Sequence, residues 1–264
     1  ADTYQQDLDA HLVPLLGELR LDQIDAAAVQ RLKAARADRN MASTINKVLA
    51  RLKTMLRSAI EWKVITAMPP IKRLKEPKLE KPHYKQADDE RFLAAAREAD
   101  LKLYTVILLG DDAGMRHGEI IALHKGDIRF DDGPTGAIVI SKSSYEGKIT
   151  PTKGNRTRRV PLTPRLRKAL LAFLPTVRGE VVILSKKGEP IRSSQPLRAW
   201  LRELQDELGL QRGVHILRHT FATQALKNGA SLREVQALLV LRPGRVDPFG
   251  ANLPSRRNPD LQAS

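Results

Sequence analysis

Cysteine is missing from all 264 residues, so disulfides and Cys-ligated zinc are excluded. No apolar run approaches the roughly 20 residues that a membrane-crossing helix needs. No cluster of His, Asp and Glu has metal-ligand spacing, so neither a metal nor any other cofactor is expected. Acidic residues are outnumbered: 30 Asp and Glu face 45 Lys and Arg, leaving a formal charge of +15. Such an excess predicts a polyanionic partner, of which nucleic acid is the commonest. Charge alone leaves a ribosomal or membrane-surface role open. The opening Ala-Asp-Thr-Tyr-Gln-Gln is no secretory signal. It carries no initiator Met, which leaves an upstream segment open. A cytoplasmic protein working on DNA or RNA is the first reading.

A chain of this length supports two cores better than one. Residues 1–68 read as all-helical. Over 43–62, Ile45, Val48, Leu49, Leu52, Met55, Leu56, Ala59 and Ile60 recur at the 3–4 spacing of a buried stripe. Ser43 is the expected N-cap there, and Asp25 that of an earlier helix. Lys47, Thr54 and Arg57 fall off the stripe, as a solvated basic face or as a phosphate-contacting one. Residues 69–86 read as a linker. Pro69, Pro70, Pro77 and Pro82 alternate there with Lys72, Arg73, Lys75, Lys78, Lys81 and Lys85. Proline stops helices and central strands, and the basic residues suit either a strap along a phosphate backbone or a solvated linker.

From residue 87 the pattern is mixed. Asp88 is expected to cap a helix through Phe92 and Ala96, and another follows over 101–109. Gly114 marks a turn, and helix returns over 118–123. Residues 136–141 and 157–162 read as short strands around a basic turn, Thr152-Lys153-Gly154-Asn155-Arg156. Helices are expected over 164–174, 195–208 and 216–227, the last ended by Gly229. Ser231 and Glu234 form a capping box for one more, with Leu232, Val235, Leu238 and Leu239 on one face. There are no internal repeats.

Three residues stand out chemically. Arg116 follows the Gly114 turn, and His215 and Arg218 lie three apart at a helix start, so they share a face. Guanidinium groups are planar, permanently charged and bidentate, which suits the extra charge of a pentacoordinate phosphoryl transition state.

The segments Gly-Met-Arg-His-Gly-Glu-Ile (114–120), Thr-Lys-Gly-Asn-Arg-Thr-Arg-Arg-Val-Pro-Leu (152–162) and His-Ile-Leu-Arg-His-Thr-Phe-Ala-Thr (215–223) resemble the three blocks of the tyrosine recombinases of the phage integrase type. The likeness covers residues 1–239. It implies a mainly α fold with a small β-sheet: a helical core-type DNA-binding domain over 1–68 and a mixed α+β catalytic domain over 87–239, forming a C-shaped clamp on duplex DNA. It implies that Arg116 and Arg218 hold the scissile phosphate. His215 would bond a non-bridging oxygen, and Lys153 would donate a proton to the leaving 5′ oxygen. Glu119 reads as an orienting partner and His219 as structural. Lys47, Arg57, Lys72, Arg73 and Lys75 are the expected DNA contacts. Arg218→Ala is expected to weaken phosphate positioning with little loss of fold.

The likeness stops at Leu239. The family's pattern continues Gly-His and places a nucleophilic tyrosine nine residues beyond that histidine. Here Val240 and Leu241 stand at the first two positions and Gly250 at the third. The four tyrosines, Tyr4, Tyr84, Tyr104 and Tyr145, all precede His215. No nucleophile is therefore assigned, and strand cleavage is expected to fail while DNA binding persists. Residues 240–264 read as an atypical disordered tail. Without the family's final helix, any homo-oligomer on DNA, a tetramer in the family, is expected to be weak. A change this abrupt fits a frameshift or gene junction better than gradual decay. A DNA-binding regulator or competitor is the alternative function. A type IB topoisomerase shares the arginine clamp, but the small helical first block argues against it.

Overall fold

The structure is a computed structural model that describes residues 2–38, 41–77, 82–152 and 155–239. It is mainly helical with a small antiparallel sheet, and it divides into two compact units, Ala1–Lys78 and Leu79–Ser264. Among the described residues, no helix is long and apolar enough to cross a membrane.

The first unit contains α1 (Asp2–Asp7), α2 (Val13–Leu16), α3 (Ala26–Ala37) and α4 (Ala42–Glu61). Asp25 caps α3 as its spacing predicts, accepting from the Ala28 N–H at 2.7 Å. In α4 the stripe Ile45, Val48, Leu49, Leu52, Leu56 and Ala59 is buried against Val29 and Leu32 of α3 and against Leu12 and Leu16. The expected cap Ser43 is not the cap. An N-cap needs extended backbone, and Met41 supplies it, with no side-chain bond. Its carbonyl accepts from the N–H groups of Thr44 and Ile45, so Ser43 lies inside the first turn. Lys47, Thr54 and Arg57 are exposed, off the stripe.

The start of the Pro/Lys-rich stretch is held to this unit. Ile71 and Leu74 pack on its core. Buried Asn46 accepts from the Leu74 N–H at 2.7 Å and donates to the Leu74 carbonyl at 2.9 Å. Lys72, Arg73 and Lys75 remain exposed, with Arg73 paired to Glu76 at 3.0 Å.

The second unit is built around α6 (Leu101–Asp111), which is buried from Thr105 to its end. Packed on it are α5 (Gln86–Ala99), α8 (Pro164–Phe173) and α10 (His215–Lys227). Between α6 and α8 lie α7 (His117–Ile121) and five strands: β1 (Ile128–Arg129), β2 (Ala137–Ile140), β3 (Lys142–Tyr145), β4 (Lys148–Pro151) and β5 (Arg158–Pro161). β2 is central in a sheet ordered β1-β2-β5, with Ile138 opposite both Ile128 and Val160. β3 and β4 form a separate hairpin. This hairpin escaped the sequence pattern because its residues are mostly polar and none is buried, with no apolar alternation to mark it. The basic turn therefore follows β4, not β2. Asp88 is not a cap either: Lys85 occupies the N-cap of α5, and Asp88 sits in the first turn, where its charge complements the helix end. α9 (Gln195–Glu207) and α11 (Leu232–Leu239) complete the unit. Gly229, at φ 93°, turns the chain out of α10. The Ser231–Glu234 box then opens α11, with Ser231 N–H donating to Glu234 at 2.7 Å and Glu234 N–H to Ser231 Oγ at 3.2 Å.

At the base of α6 three carboxylates meet one guanidinium. Arg165 of α8 bonds Asp111 at 2.9 Å and forks onto Asp112 through Nε at 2.8 Å and Nη2, while Thr163 also donates to Asp112. Buried Asp89 of α5 completes the group. Burial pushes the Asp89 carboxyl up to about 6, against the opposing Arg165 charge. Burial and the two neighbouring aspartates hold Asp111 well above the carboxylate range.

An acid whose folded pKa exceeds its unfolded value of about 3.9 binds its proton more tightly when folded. Its stabilisation is complete below that value and is lost as pH rises through about 6. Chemical unfolding of the native protein and of Asp89→Asn at pH 4.5 and 7 checks this. Relative to the variant, the native protein should lose about 1–2 kcal/mol over that interval; parallel pH dependences would contradict it.

Candidate functional site

The turn after α6 depends on Gly114. Its φ is +57°, and a Cβ there would lie 2.7 Å from Leu239 and 2.8 Å from Phe221, so only glycine fits. The turn delivers Arg116 to the N-cap of α7 with extended backbone. Gly118 then lets α7 lie on the hairpin: an added Cβ would come within 2.7 Å of the Ser144 carbonyl.

Glu119, on the first turn of α7, is the electrostatic centre. It accepts from the Arg116 backbone N–H at 2.7 Å and from Arg116 Nη1 at 2.9 Å. Arg158 of β5 grips it with both ends of its fork, at 2.8 and 2.6 Å. The Glu119 side chain is 1% exposed and that of Arg158 is 4%. Burial alone would raise the Glu119 pKa. The hydrogen bond and charge of Arg158, then those of Arg116, outweigh it and bring it down to about 2. Arg116, 30% exposed, keeps part of its guanidinium accessible.

His215 is the first residue of α10 and Arg218 lies one turn on. Arg218 is buried, donating Nη1 to the Gly114 carbonyl and Nη2 to the Leu239 carbonyl at 2.7 Å. Burial, then the charges of Arg116 and Arg158, push it down to about 9, still a cation at neutral pH. The His215 ring stands edge-on to His117, centroids 5.3 Å apart at 70°. Burial, then Arg218, Arg198 and Arg116, lower the His215 pKa. Burial, His215 and Arg198 lower that of His117, with Glu119 opposing.

Arg116, His215 and Arg218 are thus brought together, as the sequence predicts. Lys153 and the tail from Val240 onward lie outside the described residues. Lys47, Arg57, Lys72, Arg73 and Lys75 are all on the first unit. Sequence reasoning missed Arg158, His117 and Arg198. Arg158 had a signal: it alternates inward with Val160 and Leu162, and an inward strand arginine needs a buried acid. Arg198 and His117 carry no local mark. Among the described residues, no group of His, Asp and Glu could hold a metal ion.

The expectation that Arg218→Ala spares the fold needs correction. Its guanidinium satisfies two backbone carbonyls and ties α11 to the Gly114 turn. Losing those donors should cost about 2–4 kcal/mol and expose α11 to limited proteolysis. Glu119→Ala, which strands buried Arg158, should cost about 3–5 kcal/mol. Denaturant unfolding measures both, and wild-type midpoints would refute this account.

A cationic pocket holding one carboxylate, already neutralised, suits a bound oxyanion. Residues 84–240 match the phage integrase family. Tyrosine recombinase XerC of Rhodospirillum centenum is 31% identical over 239 residues, covering 83% of this chain and 65% of that protein. The XerC of Lactobacillus leichmannii is 28% identical, covering 83% of this chain and 75% of its own. The chain thus spans about two thirds of the length of the first of these relatives. Among solved structures, the Tn1549 transposon integrase in complex with circular intermediate DNA superposes with a TM-score of 0.75 at 17% identity, covering 90% of this chain and 83% of that one. A lambda integrase dimer bound to a core site gives 0.73 at 19%, covering 94% and 88%. The chain belongs to the phage integrase family of tyrosine recombinases.

Proposed function

We propose that this chain is the DNA-gripping body of a site-specific recombinase: it binds duplex DNA and clasps a phosphodiester, but does not cut it. The observation carrying the reading is the convergence of Arg116, His215 and Arg218 (with Arg158, four cations once His215 is protonated) beside a single carboxylate, Glu119, that Arg158 and Arg116 share. The positive charge therefore stays available for phosphate. In this reading Arg116 and Arg218 bind the non-bridging oxygens, His215 bonds one of them, and the role at the 5′ oxygen falls to Lys153 by its place in the family's second block. Exposed Lys47, Arg57, Lys72, Arg73 and Lys75 neutralise flanking phosphates. Domain limits at 1–68, 69–86, 87–239 and 240–264 and a cytoplasmic location belong to the same reading.

Cleavage deficiency rests on residue identity. Family members cut by attaching the 3′ phosphate to tyrosine, and Gly250 holds that position here. The family match covers residues 84–240. Tyr84 is committed elsewhere, donating to the Gln211 carbonyl and accepting from Gln205, both at 2.8 Å. Burial pushes its hydroxyl up to about 12. A lambda integrase forms a tetramer on a Holliday junction; here such assembly is proposed to be weak. The same absent hydroxyl favours a second reading, a regulator or competitor that occupies attachment sites.

Binding should weaken roughly a thousandfold or more between 50 and 200 mM salt if six phosphates are neutralised. A flat salt dependence would remove the DNA reading. A nicked suicide duplex should yield no covalent adduct on a denaturing gel, and an adduct would overturn the deficiency. Footprinting that shows protection without cleavage supports the regulator reading.

A further inference from the structure

We propose that His117 is a positioning residue that acts as a pair with His215, so that the phosphate site takes up its proton through two imidazoles rather than one. This rests on the DNA-binding reading above. His117 opens α7 directly after Arg116, and His215 opens α10, so two helix starts place the rings edge to face at 5.3 Å. The Nδ1 of His117 is buried and makes no hydrogen bond to any described protein group. A buried ring nitrogen without a partner is costly, and a titrating role accounts for keeping it.

The charges around the pair decide its state. His215 faces Arg218 on its own helix, Arg198 from α9 and Arg116 from the Gly114 turn. His117 faces His215 and Arg198, with Glu119 the opposing charge, itself shared between Arg116 and Arg158. The start of α10 adds partial positive charge beside His215. Both rings therefore stay neutral in the free protein near pH 7. A phosphodiester brings the missing negative charge and raises the proton affinity of the site. Two rings this close hold one proton between them more readily than two, so the uptake belongs to the pair. His117 shapes the response by setting the plane of His215 and by sharing that proton. Arg198, exposed on α9, keeps the free site unprotonated and is left to meet the same phosphate.

The test is calorimetry of the whole chain with a short duplex at pH 6.5, in buffers of different ionisation enthalpy. Wild type should bind with net proton uptake and lose affinity by about three- to tenfold from pH 6 to 7, as a fraction of one proton requires. His117→Phe keeps the ring contact without a titratable nitrogen, and it should change the uptake at pH 6.5, because His215 then titrates alone. A merely structural role would leave uptake unchanged. Should His117→Phe unfold by circular dichroism, His117→Asn carries the same expectation. Imidazole NMR of wild type gives a reading without variants: the two rings should titrate as a coupled pair. Unaltered uptake in a folded variant, or independent titration, overturns the proposal. Absence of any duplex binding by wild type instead removes the DNA-binding reading beneath it.

Discussion

The second unit turns on what the Glu119 carboxylate does with its two oxygens. One arm of the cationic pocket, Arg116, is oriented by it through backbone and side chain, and a second arginine, Arg158, is neutralised by it from the sheet. That single acid lets α7 and β5 approach each other without an uncompensated buried charge. Its oxygens are taken up in doing so, and Arg218 makes its hydrogen bonds to backbone carbonyls instead, with Glu119 acting on it only through its charge. Two arginines are thereby fixed in place while the pocket keeps its positive potential. A less completely bonded acid would move toward whichever arginine a ligand left free.

A second dependence runs through the Gly114 turn. The glycine admits Leu239 and Phe221 against its α-carbon, and its carbonyl accepts from Arg218. Upstream, Asp112 closes α6 and is pinned by Arg165 and Thr163. The turn is therefore restrained from three sides: by the acidic cluster behind it, by α10 across it and by α11 above it. Backbone geometry places the pocket as much as side-chain chemistry does.

How much of this was legible in the chain differs by kind of information. Helices with an apolar stripe, such as α4, and those with a polar cap, such as α3 and α11, could be read because burial and capping leave a periodic mark. Ser43 and Asp88 misled because serine and aspartate are also tolerated inside a first turn, and backbone angle decides which residue is the cap. The β3–β4 hairpin was invisible because it buries too little to impose alternation. In the site, Arg116, His215 and Arg218 were found through their local contexts. Arg158 and His117 were not assigned, because their partners lie 39 and 98 residues away in the chain and only folding brings them together. The Arg218 expectation is revised for a related reason: sequence reveals a charged residue but not the carbonyls it ties.

One consequence of the bond between Arg218 and the Leu239 carbonyl concerns the limits of interchange. The contact uses a main-chain atom of α11, so the acceptor is supplied by the backbone. Among the described residues, the Gly114 carbonyl and the Leu239 carbonyl are the arginine's two hydrogen-bond acceptors. The position of the second is set by the helical path of α11 and not by the identity of the side chain at residue 239.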